Sequence, residues 1–177
     1  MITIMSEMFY SIPSAERLLR KGRYLFHQND AVQHMFQIVE GEVQLIRRHS
    51  QGHKLILQRG GRGTILAEAS LFTDTYNCDA VAWDVSKVRC FARKDVLMLF
   101  ENDPHFAKQW AAHLASEVRK ARFKAEVLSQ RTVAQRLDMW LLQNELLPEK
   151  GNWKQLASEV GTSAEALYRE IAKRHQR

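Results

Sequence analysis

The order of hydrophobic and polar residues divides the chain into three stretches of different texture. In residues 1–20, four apolar positions recur at helical spacing near Pro13, which predicts a short helical lead-in: Ile12, Ala15, Leu18 and Leu19. Between Lys21 and Phe91, short apolar segments alternate with turn residues. That alternation predicts closely spaced antiparallel strands and hence a barrel or roll. The apolar segments occupy residues 24–26, 35–39, 43–46, 55–57, 81–83 and 85–91.

A helical pattern begins at Asp103. Asp103 is suited to cap a helix, and Pro104 then occupies the first helical position, where a missing N–H costs nothing. No glycine or proline occurs in residues 105–147, so the pattern predicts one uninterrupted helical run. One strip of this run predicts the seam of two paired helices: Ala111, Leu114, Val118, Ala121, Ala125 and Leu128. A second strip is expected to pack on the roll: Phe106, Trp110 and His113. The alternative is a single buried helix in a monomer.

The sequence ends in a pattern typical of a helix-turn-helix. Ala157 is small enough for two helices to cross closely, and Gly161 suits the turn between them. Thr162 or Ser163 is suited to cap the second helix. Leu156, Val160 and Leu167 are expected to supply the apolar contacts. The two helices are predicted over residues 153–160 and 163–175, after a break at Pro148-Glu149-Lys150-Gly151.

Charge and cysteine content narrow the class of protein. The net charge is +6; residues 1–103 contain 13 Lys and Arg against 12 Asp and Glu, whereas residues 104–177 contain 13 against 8. Positive charge concentrated in the helical part favours a polyanionic partner, with a solvated helical surface as the alternative. No apolar run of about 18 residues or more and no secretory signal pattern occurs. Cys78 and Cys90 match neither a disulfide framework nor a zinc site, which favours the cytoplasm.

Several short motifs in the roll segment occur in a recognisable order. They are Lys21-Gly22, Leu25-Phe26, Asn29-Asp30, Gln-Ile-Val-Glu-Gly-Glu-Val at residues 37–43, Gly52, Gly63, and Glu-Ala-Ser-Leu-Phe at residues 68–72. With the helices that follow, they resemble the Crp/Fnr (cyclic-AMP receptor protein) family of transcription regulators over residues 20–177. The resemblance implies an α+β fold with an antiparallel, cyclic-nucleotide-binding-like β-roll (a double-stranded β-helix or jelly roll). The implied domains are a sensory roll (1–103), a dimerisation helix (104–130) and a helix-turn-helix (131–177). The β-hairpin wing that family members usually carry does not occur before Arg177.

The phosphate cassette departs from the family pattern. Cyclic-nucleotide binders have a Gly-Glu motif followed by an Arg-Ser or Arg-Thr motif. The Glu binds the ribose hydroxyl, and the Arg pairs with the phosphate. Here Ala67 replaces the Gly, Glu68 is kept, and residues 76–79 hold no arginine but include Asp79 beside the expected anion position. We therefore expect no cyclic AMP binding by the usual contacts, and an effector that is unknown or absent; a purely structural Glu68 is the alternative. The predicted effector pocket is Ala67, Glu68, Ala69, Asn77, Cys78, Ala121 and Arg122.

The resemblance also implies which residues meet DNA. The start of the second helix would enter the major groove and present Ala164, Glu165 and Arg169 to the bases. Glu165 can accept from a cytosine amine, and Arg169 can bond guanine through two N–H groups. The predicted DNA-binding set is Lys154, Thr162, Ser163, Ala164, Glu165, Arg169 and Lys173, and Arg174 and Arg177 also suit phosphate contacts.

Two functions remain open from the sequence. The first is a homodimeric DNA-binding regulator that reads a pseudo-palindromic operator, with RNA polymerase as a candidate partner. The second is a ligand-binding or protein-interaction module with a vestigial DNA-binding domain. Glu170, at a position expected to be apolar unless Ile171 substitutes for it, and the lack of a wing before Arg177 motivate the second. No hydrolase, Walker-type or metalloprotease motif occurs and the histidines show no ligand spacing, so neither an enzyme, a metal site nor a membrane segment is expected.

Overall fold

The computed structural model describes Phe9, residues 11–48 and residues 54–175. The chain forms two compact units, residues 1–114 and residues 115–177. Outside the described residues fall the first part of the predicted helical lead-in, the predicted turn at Gln51-Gly52, and Arg177.

Two antiparallel sheets of four strands each build the first unit. Their strand orders are β1-β8-β3-β6 and β2-β7-β4-β5. Six of the strands overlap the six apolar segments predicted from the sequence, which confirms the antiparallel roll. The strands are β1 (Ser14–Leu19), β2 (Tyr24–Phe26), β3 (His34–Glu40), β4 (Val43–Arg48), β5 (Lys54–Gly60), β6 (Ile65–Leu66), β7 (Asp79–Ala82) and β8 (Ser86–Ala92).

The predicted helical lead-in is wrong where the structure describes it. Strand β1 pairs with β8 from Ser14 opposite Phe91 to Leu19 opposite Ser86. Of the six side chains in β1, only that of Leu19 is buried. Helical spacing of a few apolar residues is a weak signal because a short helix is marginal by itself, and hydrogen bonding to the edge of a formed sheet outweighs it.

Helices as well as strands contribute to the core of the first unit. Helix α1 (Arg93–Asn102), which the sequence pattern did not predict, contributes Val96. Helix α2 (Pro104–Ser129) contributes Phe106 and Trp110, both of them buried against residues of the roll. The predicted packing on the roll is therefore confirmed for Phe106 and Trp110.

Asp103 caps α2 as predicted. Its Oδ1 accepts hydrogen bonds from the backbone N–H groups of His105 at 2.9 Å and Phe106 at 3.1 Å. These bonds satisfy two of the amide groups that have no partner within the first turn of a helix. The start of α2 was readable from the sequence because a capping side chain and a proline at the first helical position act within three residues.

The helical part of the chain is interrupted where the sequence predicted continuity. Helix α2 ends at Ser129, and α3 (Val133–Asn144) starts after a short connection. Thr132 Oγ1 accepts from Gln135 N–H, and Gln135 Oε1 accepts from Thr132 N–H, both at 3.2 Å. This reciprocal capping box stabilises a new helix start without glycine or proline, which is why the uninterrupted run predicted for residues 105–147 is wrong.

The second unit contains the later part of α2, then α3, α4 (Trp153–Glu159) and α5 (Ala164–His175), with a 3-10 turn at Lys150–Asn152 directly before α4. The predicted contacts of Leu156, Val160 and Leu167 are confirmed, since each is at most 1% exposed. Ile171 is also fully buried, so it takes the apolar role that Glu170 cannot. The buried core of this unit is Val127, Leu137, Leu156, Ala157, Val160, Leu167 and Ile171.

Candidate effector pocket and DNA-binding surface

Cys78 and Asp79 turn to opposite sides of the chain at the start of β7. The Cys78 side chain is buried in the core of the roll together with Ala80. The Asp79 carboxylate accepts from Gln28 N–H at 2.8 Å and lies 3.6 Å from His27 Nδ1. The Asp79 carboxylate is therefore bound by residues between β2 and β3, and its place beside an anion stays a prediction.

Ala67 and Glu68 lie in a short 3-10 turn after β6. Ala67 has φ of +64°, a left-handed conformation that favours glycine, so the family's glycine is replaced here at a backbone cost. Burial raises the pKa of the Cys78 thiol; the cation of Arg47 lowers it, and the carboxylates of Asp79 and Glu68 raise it further. Glu68 is therefore close enough to Cys78 to act on its thiol, and the effector pocket stays a prediction.

Other members of the predicted pocket are placed less favourably. The side chains of Ala69 and Asn77 are exposed on the first unit. Ala121 and Arg122 lie on α2 in the second unit, and both are exposed. The grouping of the last two with Glu68 remains a prediction.

The predicted dimer seam on α2 is largely exposed in the single chain. Val118 is 48% exposed and Leu128 is 38% exposed, which is high for apolar side chains of this size. Ala111, Ala121 and Ala125 are exposed as well, whereas Leu114 is half-buried against the core of the first unit.

The turn between α4 and α5 has the geometry of a helix-turn-helix. Gly161 has φ of +64°, and the N–H of Thr162 donates to Ala157 O at 2.9 Å, which closes the end of α4. Ser163 caps α5, since its Oγ accepts from Ala166 N–H at 3.2 Å. Of the two predicted caps, the structure selects Ser163.

Helix α5 separates apolar and polar side chains cleanly. Leu167 and Ile171 are fully buried. Glu165, Arg169 and Lys173 are exposed and available to a ligand in solvent. Among the other predicted DNA contacts, Lys154 and Ser163 are exposed, while Thr162 and Ala164 are half-buried.

Glu165 is held in its charged form at the start of α5. The pKa of its carboxyl is lowered by a hydrogen bond from its own backbone N–H and by one from the Ser163 hydroxyl. The cations of Arg169 and Lys154 lower it further. A carboxylate kept ionised at a helix N-terminus is an acceptor for an amine, which is what contact with a cytosine requires.

Comparison with known proteins identifies the family. A family model described as the cyclic nucleotide-binding domain matches residues 16–103. The cyclic AMP receptor protein of Thermus thermophilus is 30% identical over 161 residues, which cover 86% of this chain and 73% of that protein. The chain belongs to the Crp/Fnr family of transcription regulators. The resemblance found in the sequence is thereby confirmed.

Solved structures of Crp/Fnr proteins share the fold described above. The catabolite activator protein of Thermus thermophilus matches with a TM-score of 0.58 and 26% identity, covering 96% of this chain and 86% of that one. FixK2 from Bradyrhizobium japonicum matches with a TM-score of 0.74 and 20% identity, covering 93% of this chain and 86% of that one. These likenesses confirm the predicted fold class.

Arg47 is a cation at the cassette of this Crp/Fnr protein that the sequence analysis missed. It comes from β4, and its Nη2 donates to Asn77 O at 3.1 Å. Since β4 pairs with β7 through Ile46 and Asp79, the next residues along, Arg47 and Cys78, are neighbours. Only the pairing of two distant strands brings Arg47 here, so a search for an arginine within the cassette could not find it.

Arg136 on α3 ties the turn of the helix-turn-helix to the end of α2. Its Nη1 donates to Gly161 O at 2.7 Å and to Val160 O at 3.4 Å, while its Nε donates to Gln130 O at 2.9 Å. One guanidinium group therefore holds carbonyl groups at the end of α4 and in the connection before α3. The sequence analysis did not single out Arg136, because its role depends on contacts 25 residues away along the chain.

The guanidinium group of Arg174 binds three groups within the chain. It donates to Asp138 Oδ1 at 2.7 Å, to Glu170 Oε1 at 3.1 Å and to Ala134 O at 3.0 Å. The expectation that Arg174 contacts phosphate is therefore wrong, since two carboxylates already neutralise it. These bonds also explain Glu170, which anchors Arg174 on the side of α5 that faces α3.

The sequence predicted neither a metal site nor a membrane-spanning segment. In the described ranges, no three His, Cys, Asp or Glu side chains are grouped as ligands for a metal ion. None of the helices that the structure describes has the length and apolar character needed to cross a membrane.

Proposed function

We propose that this chain is a DNA-binding transcription regulator whose β-roll controls a dimeric helix-turn-helix. The observation that carries the proposal is α5: a helix capped by Ser163, anchored by buried Leu167, and presenting Glu165 and Arg169 to solvent. A recognition helix needs these features, because its inner face must be fixed for its outer face to read base edges. Crp/Fnr membership supports this function.

The domain limits follow from this proposal. Residues 1–103 are the sensory roll, residues 104–130 the dimerisation helix and residues 131–177 the DNA-binding domain. The exposed seam residues Val118 and Leu128 support the pairing of two α2 helices, since a second copy would bury them. Two paired chains would present two recognition helices, which suits a pseudo-palindromic operator.

The effector of the roll is proposed to be something other than cyclic AMP held by the usual contacts. The cassette offers a backbone-strained Ala67 in place of glycine and no arginine of its own. Arg47 stands near Cys78, but it enters from another strand and already donates to Asn77 O. A ligand would therefore meet a different arrangement of charge.

The first experiment selects genomic DNA fragments with the purified chain and titrates the best site by fluorescence anisotropy at several salt concentrations. A pseudo-palindromic site with affinity of about 10⁻⁸ M or tighter and a steep salt slope is expected. Arg169→Ala should weaken that site by about 1–3 kcal/mol and relax sequence preference at one position. Lys124→Ala, an exposed cation on α2 outside the predicted DNA-binding set, serves as the control.

The alternative function is a ligand-binding or protein-interaction module with a vestigial DNA-binding domain. Weak, sequence-indifferent binding that Arg169→Ala and Lys124→Ala reduce equally would favour this alternative. The same result would overturn the regulator proposal.

A further inference from the structure

A groove opens in the first unit between β1 of one sheet and β2 of the other. Its volume is about 480 Å³, within the roughly 300–1,000 Å³ of small-molecule sites. Ala15 and Arg17 line it from β1, and Leu25 and Phe26 line it from β2. None of the predicted effector-pocket residues lines this groove, so it is a separate feature of the roll.

Stacked aromatic rings form the floor of the groove. The rings of Phe26 and Tyr76 are 3.8 Å apart and nearly parallel, and the ring of Phe36 lies 5.6 Å from that of Phe26. The Tyr76 hydroxyl donates to His34 O at 2.6 Å and accepts from His34 N–H at 3.3 Å. These bonds hold the floor in place before any ligand arrives.

From Phe36, a row of apolar side chains continues across the first sheet. In the register of the first sheet, Phe36 is opposite Cys90, and Cys90 is opposite Ala15. Residues opposite each other share one face of a sheet, so these three form a continuous row across three strands. A row of small and aromatic side chains suits a flat apolar body.

Arg17 is the permanent cation among the side chains that line the groove, which also include the carboxylates of Glu16 and Asp30. The carboxylate of Glu16 is paired with Lys87 at 2.7 Å, and that of Asp30 accepts from His27 N–H at 2.8 Å. Arg17 Nη1 donates to Leu25 O in a long hydrogen bond of 3.4 Å. Arg17 is exposed, and a guanidinium group can bind a carboxylate through two parallel N–H bonds.

We propose that this groove is a second small-molecule site, which binds a planar apolar anion such as an aromatic carboxylate. The ring of the ligand lies against the row Ala15, Cys90 and Phe36, and its carboxylate pairs with Arg17. The proposal goes beyond the regulator function, because it concerns neither the DNA-binding helices nor the cassette around Glu68.

The two cysteines allow occupancy of the groove to be measured directly. Cys90 is half-buried and lines the groove, whereas Cys78 is buried outside it and serves as an internal reference. Alkylation of each thiol by N-ethylmaleimide is followed by mass spectrometry in the full chain, with 2-naphthoate as the probe. When the probe concentration is twice its dissociation constant, occupancy of the groove slows alkylation of Cys90 about threefold and leaves the alkylation rate of Cys78 unchanged.

Matched probes and variants separate the role of the charge from simple hydrophobic binding. 2-Naphthamide, which has the same ring and no charge, should protect Cys90 far less. Arg17→Gln should abolish protection by naphthoate, whereas Arg20→Gln, an exposed arginine outside the groove, should preserve it. Burial raises the pKa of Cys90 and the cation of Arg17 lowers it, so replacing Arg17 itself changes the reactivity of the thiol. The alkylation rate of each variant with probe is therefore compared with the rate of the same variant without probe.

A filling variant tests the site without removing the charge. Ala15→Phe should occupy the groove and abolish protection while Arg17 remains. Three results would overturn the proposal: no protection of Cys90 at millimolar naphthoate, equal protection by naphthamide, or full protection in the Arg17→Gln variant. Thermal unfolding by circular dichroism establishes that each variant is folded before its rates are compared.

Discussion

Leu128 at the end of α2 lies directly against Gly161 in the turn of the helix-turn-helix. A Cβ atom at Gly161 would overlap Leu128 Cδ2. Leu128 is also the last residue of the predicted dimer seam. One side chain therefore borders both the surface proposed for pairing and the turn that precedes α5.

Gly161→Ala is expected to lower the free energy of unfolding by about 1–2 kcal/mol. The alanine backbone must adopt a left-handed conformation, and its methyl group must displace Leu128. Urea unfolding followed by circular dichroism measures the change. Leu128→Ala in the same background should recover part of the loss. Additive effects of the two substitutions would contradict the contact.

Val118→Lys is expected to convert a dimer into a monomer, because two buried lysines would face each other across the proposed seam. Light scattering coupled to size-exclusion chromatography measures the mass, and operator affinity should fall with it. Ala112→Lys introduces the same charge at an exposed position outside the seam strip and should leave the dimer intact. A dimer that survives Val118→Lys would remove α2 as the pairing helix.

Arg136→Met is expected to destabilise the second unit by about 1.5–3 kcal/mol, since it removes a charged donor from the carbonyl groups of Gln130 and Gly161. Chemical unfolding measures the loss. Arg131→Met is the control, because Arg131 is exposed in the same connection. If both variants lose the same stability, the contacts of Arg136 contribute nothing specific.

Ser163→Ala is expected to raise the pKa of Glu165 toward its usual range, because the Ser163 hydroxyl is one cause of its lowering. In the native chain this lowered pKa stabilises the folded state at neutral pH, and the contribution is lost as the pH falls through the folded value. Carbon-detected NMR titration of the glutamate side chains measures it. Thr162→Ala is the control: it leaves the Ser163 hydroxyl in place and should not shift the pKa of Glu165.

The sequence was informative where a structural cause is local. Asp103 and Pro104 mark the start of α2 within two residues, and the small-residue pattern around Gly161 marks the turn of the helix-turn-helix. Both signals depend on backbone requirements that few residue types meet. These elements were predicted almost to the residue.

The errors arose where distant residues decide the outcome. Strand β1 forms because β8 is present to pair with it. The capping box of Thr132 and Gln135 was readable in principle, but a search for glycine and proline overlooks it. Arg47 and Arg136 act on residues 30 and 25 positions away, and no local pattern reports such contacts.

The opposite orientation of Cys78 and Asp79 decides where a single substitution at either position would place a new positive charge. An arginine at position 79 would join His27 and Arg48, on the face of β7 turned from the core. One base change turns a cysteine codon into an arginine codon, and position 78 does face the interior. The new guanidinium would lie near the carboxylate of Glu68, because that carboxylate already acts on the Cys78 thiol. Positions 78 and 79 are therefore not equivalent targets for substitution, since only a change at position 78 would add a cation on the core side of β7.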